Sequence, residues 1–131
     1  MPFIVAYRKS SDQHTVYSLS VPEGSTELCT LDGVTYTVLP DGAVIGEQPE
    51  QIAASVQIVT LDAELRDRIC TASPHVELIR ARVAQKIAER YSITDEIKLL
   101  RTAPSAEFEM YNEYVETCRQ WGRECKAELG L

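Results

Sequence analysis

The hydrophobic period of the chain changes near residue 60, and this change limits the fold more than any other feature. Before it, β-prone runs alternate at period two and are separated by turn sequences. After it, apolar residues recur every three or four positions, the spacing of one face of an α-helix. The sequence therefore predicts an α+β protein, with an N-terminal antiparallel β-meander followed by a helical region ending in one long helix. The predicted segments are a β-rich part at 1–45, a linker at 46–59 and helices at 60–131.

The strongest strand signal is the Asp32-Gly33 pair between two β-prone runs. The favoured two-residue hairpin turn needs positive φ at both central positions, and Asp-Gly meets this requirement. We therefore expect a hairpin around this pair and further strands in the runs that begin at Phe3 and Thr15. The linker contains Gly46, Pro49 and three glutamines, with room for one helical turn from Pro49. Residues 56–59 fit either a short strand or an extended link.

Start signals divide the second half into four helices. A side-chain oxygen at the N-cap accepts a hydrogen bond from an otherwise unpaired backbone N–H, and proline suits the first helical position. The candidate N-caps, in chain order, are Thr60 or Asp62, Ser73 before Pro74, Thr94 or Asp95, and Ser105. The last helix, predicted over 105–129, is the longest.

This last helix carries a regular apolar seam. Its seam positions are Phe108, Tyr111, Val115, Cys118, Gly122, Cys125 and Leu129. The alternating spacing of three and four is that of a coiled coil. Tyr114 and Trp121 lie beside the seam and widen the apolar face. The seam can pack against the preceding helices or bind a second copy or a partner, and aromatic residues are typical of binding hot spots. The predicted protein-binding residues are Phe108, Tyr111, Tyr114, Val115 and Trp121.

The net charge of -7 makes several partners unfavourable. An acidic chain repels phosphate backbones and anionic lipid surfaces, so we expect neither nucleic acid nor membrane as a partner. The basic stripe of Arg82, Lys86 and Arg90 has no interleaved aromatic residues and fits a solvated helix face. The N-terminal apolar run is short and its charges follow it, unlike a signal peptide. No run reaches the roughly 20 apolar residues of a membrane span, so a cytoplasmic location is expected.

No pattern of residues indicates a catalytic or metal site. His14 lies in a predicted turn and His75 in the first turn of a helix, and no motif frames a nucleophilic serine. The four cysteines are dispersed and lack zinc spacing. Cys118 and Cys125 could bind metal or pair across a dimer, but reduced thiols in a core are the favoured interpretation. No glycine-rich phosphate loop occurs. We therefore predict no enzyme activity, no metal and no cofactor.

The helical half has a recognisable order of motifs over about residues 55–131. These motifs are the Ser73-Pro74 start, the segments 87–92 and 95–101, the Phe108-x-x-Tyr111-x-x-Tyr114-Val115 run, and the closing segment 126–131. This order resembles small proteins from the tail modules of tailed phages and bacterial prophages, commonly found near tail-fibre genes. Some of these are described as tail-fibre assembly or tail-assembly chaperone proteins. The family offers no catalytic residue to transfer to this sequence.

The resemblance implies a non-enzymatic accessory or assembly protein that binds a tail or tail-fibre component. The partner would then be a protein, and the C-terminal helix could also form a homo-oligomer. Such a protein would act in the cytoplasm of the bacterial host, or remain in the virion. Two other hypotheses stay open: a minor structural component of the virion, and a small enzyme or enzyme subunit with a composite site.

Overall fold

The computed structural model describes all residues from 1 to 131. The chain divides into two compact units, which we call the first unit (Met1–His75 with Glu128–Leu131) and the second unit (Val76–Ala127). The strands are β1 (Phe3–Tyr7), β2 (Ser10–Ser11), β3 (Val16–Tyr17), β4 (Thr26–Leu31), β5 (Val34–Leu39) and β6 (Gln57–Val59). The helices are α1 (Glu50–Ala53), α2 (Ala63–Ala72), α3 (Pro74–Arg90), α4 (Ile93–Arg101) and α5 (Ala106–Glu128). The predicted α+β class is confirmed. None of the helices is long and apolar enough to cross a bilayer.

The main sheet has the strand order β4-β5-β1-β6, with every pairing antiparallel. In a simple meander each strand lies beside the next one in the chain, whereas here β1 lies between β5 and β6. The sequence contains the reason for this central position. Residues from Ile4 to Tyr7 are all buried, and an uninterrupted apolar run is typical of a strand covered on both faces.

The predicted hairpin is confirmed by its turn geometry. Asp32 has φ 50° and Gly33 has φ 80°, so both central residues are left-handed as the tight turn requires. The Thr30 and Thr35 hydroxyls lie 2.9 Å apart across the two strands, in hydrogen-bond contact. Neighbouring residues of β5 enter two separate clusters, one of Val5, Tyr7, Leu19, Leu39 and Ile52, the other of Ile4, Leu28, Val38 and Ile69. Both faces of the sheet therefore contribute to the core.

The run from Thr15 forms less strand than the alternation predicts. Only Val16–Tyr17 is extended and paired, with the two residues of β2. A carboxylate oxygen of Asp12 accepts hydrogen bonds from the backbone N–H groups of His14 and Thr15, each at 2.8 Å. These bonds lower the pKa of Asp12, and they close a tight turn. His14 is exposed in this turn.

The segment 46–59 is not a linker, which corrects the predicted division of the chain. It contains α1 and β6, and Ile52 is only 1 % exposed in the core of the first unit. The open question at 56–59 is settled in favour of a strand, because Val59 lies opposite Ile4 in the sheet. Gly46 and Pro49 interrupt the pattern of the preceding strands, and a three-residue edge strand is too short to show a period. The boundary between the two units falls instead after His75.

Two of the four predicted N-caps accept the expected hydrogen bond, and α3 begins where predicted although the buried Ser73 hydroxyl has no hydrogen-bond partner. Asp62 accepts a hydrogen bond from the Leu65 N–H at 2.7 Å, α3 begins at Pro74, and Ser105 accepts from the Phe108 N–H at 3.1 Å. The cap of α4 is Ser92, rather than Thr94 or Asp95. Ser92 accepts from the Asp95 N–H while Asp95 accepts from the Ser92 N–H. This reciprocal capping box satisfies two backbone groups at once.

The end of the chain completes the core of the first unit. Leu129 and Leu131 pack against the cluster that contains Ile4 and Ile69. Gly130 between them has φ 76°, and a Cβ at this position would lie 3.3 Å from the Ile4 Cγ1. A larger residue at Gly130 would therefore be strained by its backbone and crowded by its neighbours.

Candidate protein-binding surface

The second unit contains a cluster of aromatic rings. Tyr91, which follows α3, stacks on Tyr111 of α5 with ring centroids 5.0 Å apart. Tyr114 lies at 5.8 Å from Tyr91, and Phe108 meets Tyr111 edge-on at 6.2 Å. Offset and edge-on geometries are the favourable ones for aromatic pairs. The cluster therefore contributes to packing between the end of α3 and the first half of α5.

Polar groups of these aromatic residues also find partners inside the unit. The Tyr111 hydroxyl donates to Glu96 Oε1 at 2.9 Å, and the Tyr114 hydroxyl donates to the Lys86 carbonyl at 2.7 Å. Burial, followed by the bond to Glu96, raises the pKa of Tyr111.

Two cations of α3 also lie over aromatic rings of α5. The Arg90 guanidinium lies 4.7 Å from the centre of the Tyr114 ring. The Lys86 ammonium lies at the same distance from the Trp121 ring. These are cation–π contacts.

All five residues predicted to bind a partner lie on α5 in the second unit. Val115 is buried, while Phe108, Tyr111, Tyr114 and Trp121 are half-buried. Tyr111, Tyr114 and Trp121 each contact residues of α3, α4 or the segment between them. The structure thus contains the intramolecular packing that was one of the two readings of the seam. Binding of a partner by these five residues stays a prediction.

The apolar face of α4 is much more open. Ile93 is 76 % exposed, Ile97 47 % and Leu100 62 %. Their spacing of four and three places them on one side of the helix. None of the nine residues of α4 is buried. An amphipathic helix normally turns such a stripe toward a core, so this uncovered stripe is the best candidate for a contact surface.

This helix was predicted from the sequence but was assigned no role in binding. The available signal was a clear apolar stripe on a short helix with basic residues, Lys98 and Arg101, toward its end. Neither base forms an ion pair within the chain, whose four pairs involve other residues. A partner could therefore meet an apolar stripe bordered by free positive charge.

A cavity of about 430 Å³ lies beside α4 within the second unit. It is lined by Arg90, Tyr91, Asp95, Lys98, Leu99, Glu107 and Met110. Met110 is 57 % exposed, and methionine adapts its shape to different partners. The cavity gives α4 a second apolar opening, with both signs of charge at its border.

A larger cavity in the first unit has a cysteine and a histidine among its lining residues. Its volume is about 650 Å³, and Cys29 and His75 are among its lining residues. Burial, followed by the nearby Cys70, raises the pKa of Cys29. A raised pKa keeps the thiol protonated at neutral pH, whereas a nucleophilic cysteine needs the thiolate. All four cysteines are free thiols, and the chain has no group of three His, Cys, Asp or Glu side chains placed to bind one metal ion.

Comparison with known proteins gives no match to this chain, whether to a protein-family model, to a curated protein sequence or to a solved structure.

Proposed function

We propose that this chain is a non-enzymatic accessory or assembly protein of a phage or prophage tail, and that it binds an apolar segment of a tail or tail-fibre component. The observation that carries the proposal is the uncovered stripe of Ile93, Ile97 and Leu100 on α4. Exposure of three large aliphatic side chains in one line to water is unfavourable in free energy, and a partner that covers them removes this unfavourable term.

The size of the stripe suits reversible binding. Full burial of an isoleucine or leucine contributes about 1.5–3 kcal/mol, and these side chains are already partly covered, so each would add roughly 1–2 kcal/mol. Association itself costs at least about 4 kcal/mol. The stripe alone would therefore give a weak contact, to which the adjacent cavity and the bases Lys98 and Arg101 would add. Weak contacts suit an assembly factor that releases its client.

The resemblance to tail-module proteins supports the same role from another direction. The segments that carry it, from Ser73 to the end of the chain, include α3, α4 and α5. An assembly protein of this kind would work in the cytoplasm of the bacterial host. Its absence from purified particles would support this role over that of a minor virion component, which would stay with the particle.

Co-expression with the products of the neighbouring tail genes tests the proposal. The tagged chain should retain one of these products on an affinity column, and the double variant Ile97→Gln, Leu100→Gln should retain at least about tenfold less, since two aliphatic contacts of more than about 0.7 kcal/mol each are lost. Glutamine preserves helix propensity, so the melting temperature should change little. The matched control is Leu78→Gln, which removes a 49 % exposed aliphatic side chain from α3.

A second double variant distinguishes partner binding by α4 from partner binding by α5 in the same assay. Tyr114→Ala with Trp121→Ala removes two of the predicted binding residues of α5. Loss of retention with an unchanged melting temperature would move the contact surface from α4 to α5. If no neighbouring product is retained, or if the α4 variant retains it as well as the unchanged chain does, the proposed function is wrong as stated.

A further inference from the structure

A narrow groove in the second unit lies between α3 and α5. Its volume is about 250 Å³, and it is lined by Ile79, Arg80, Val83, Arg119, Gly122, Arg123 and Lys126. Four of these seven residues are basic and none is acidic. In a chain with a net charge of -7, such a local excess of positive charge is unexpected.

Close approach of the two helices gives the groove its apolar floor. A Cβ at Gly122 would lie 2.8 Å from the Val83 Cγ2 and 3.7 Å from the Ile79 Cγ2. Only glycine therefore allows the side chains of α3 to reach the backbone of α5 at this point. Val83 and Ile79 are half-buried, so part of each remains open to a ligand.

The bases around this floor are mostly unpaired. Arg123 forms an ion pair with Glu116 and donates its Nε–H to Gln120 at 3.0 Å. Arg80, Arg119 and Lys126 have no carboxylate within ion-pair distance, since the four ion pairs of the chain involve other residues. Neighbouring positive charges without counterions repel one another, and an anion between them would relieve this repulsion.

We propose that this groove binds an acidic segment of a partner protein, with carboxylates on Arg80, Arg119 and Lys126 and an aliphatic side chain on the Val83 floor. Arginine binds a carboxylate through two parallel hydrogen bonds, which suits two of the three free bases. A nucleic acid fits less well. Single strands need aromatic platforms for their bases, and no aromatic residue lines the groove.

The groove and the α4 stripe use different residues, so this site goes beyond the proposed function and does not depend on it. A variant of Ile97 and Leu100 should bind an acidic peptide as the unchanged chain does. Failure of the unchanged chain to retain any tail protein, together with binding of the acidic peptide, would reject the proposed function and leave the groove intact. The opposite result would reject the groove alone.

Three labelled probes, added to the full chain, test the site. They are a short peptide of glutamate and leucine, its counterpart with glutamine in place of glutamate, and a single-stranded oligonucleotide. Fluorescence anisotropy should show binding of the acidic peptide only, weakening as salt screens the charges. In amide NMR spectra the peptide should shift the signals of Gly122 and its neighbours.

Matched charge variants localise the binding. Arg80→Gln with Arg119→Gln should weaken binding of the acidic peptide about tenfold, equivalent to about 1.4 kcal/mol. The control Arg66→Gln with Arg82→Gln removes the same charge from exposed positions outside the groove and should leave affinity within about twofold. The single change Arg80→Gln replaces the pair if the double variant does not fold, with a smaller loss in the same direction.

Four results would overturn the proposal. They are failure of the acidic peptide to bind, equal weakening by the control pair, tighter binding of the oligonucleotide at the Gly122 signals, and self-association of the chain that shifts those signals without any probe. The third would make the groove a nucleic-acid site and the fourth an interface between two copies.

Discussion

The two units of this protein differ most in how they cover their apolar residues. In the first unit Val5 and Ile69 are fully buried and Leu39 is 1 % exposed, within clusters on both faces of a sheet. In the second unit only Val76, Val115, Cys118 and Gly122 are buried. Half-buried tyrosines and cation–π contacts hold its helices together, and α4 leaves its stripe open. A unit with such a small core has little packing to lose when a partner deforms it.

The two units also differ in net charge. The first unit has four basic and eleven acidic residues, so it carries the whole net charge of -7, while the second has nine of each. Net charge keeps a protein soluble, whereas exposed apolar side chains and free bases bind partners. Solubility and stability are therefore concentrated in one unit and the candidate contacts in the other, so mutations should separate them.

The largest expected effect concerns the autonomy of the first unit. A chain truncated after Ser55 lacks β6, α2 and the C-terminal residues that cover one sheet face, and a small uncovered sheet is marginal in water. We expect it to be largely unfolded by circular dichroism. A cooperative melt of this fragment would show that the β-rich segment folds alone.

A matched pair of isoleucine substitutions tests the contrast in burial. Ile69→Ala removes a fully buried side chain of the first unit and should lower the free energy of unfolding by about 2–5 kcal/mol. Ile97→Ala in the second unit removes a 47 % exposed one and should change it by less than about 0.5 kcal/mol. Denaturant titration of both variants measures the difference. Similar losses would mean that α4 is covered by packing after all.

Gly122→Ala probes the tightest packing in the second unit. The added methyl group would collide with Val83, at a cost of about 1–3 kcal/mol, against a gain of about 1 kcal/mol in helix propensity. A net loss of about 1 kcal/mol is expected by thermal melts. In a Val83→Ala background the collision disappears, so the same change should become stabilising. A loss in both backgrounds would contradict this account.

The smallest expected effect concerns the cap of α4. Hydrogen bonds from the backbone and side chain of Ser92 lower the pKa of Asp95. A depressed pKa in the folded state means that the stabilising effect is present above the ordinary aspartate value of about 4 and is lost as pH falls through the lower folded value. NMR titration should find this low pKa and only a partial return toward normal in Ser92→Ala, because alanine keeps the backbone N–H that Asp95 accepts from. An unchanged pKa in that variant would exclude the Ser92 hydroxyl as a cause and leave the backbone N–H.

The parts of the fold that were predicted correctly are those that depend on residues close together in the sequence. The Asp32-Gly33 turn and the start of α3 at Pro74 depend on neighbours in sequence and were predicted correctly, and Asp62 is one of the two caps predicted for α2. The apolar run of β1 agrees with a central position, but its neighbours β5 and β6 are set by pairing between distant segments, which no local pattern specifies. Ser92 was missed because Thr94 and Asp95 offered competing caps within three residues.

The candidate site was harder to predict for a related reason. Periodicity shows that α4 and α5 each have an apolar face, but it cannot show which face the rest of the chain covers. The binding surface was predicted on α5 because its seam is longer and more aromatic. In the structure those aromatic side chains pack largely against α3 and the residue that follows it. The stripe of α4 became a candidate only when its exposure was known.

Residues 128–131 belong to the first unit although the whole second unit precedes them in the chain. A ribosome therefore completes residues 76–127 before it adds Leu129 and Leu131, which cover the cluster around Ile4. During synthesis the cluster around Ile4 therefore stays without Leu129 and Leu131 until the helical unit has been made. Such a delay exposes apolar surface and strand edges to aggregation, so the acidic character of the first unit would protect the nascent chain during the interval when its core cannot yet close.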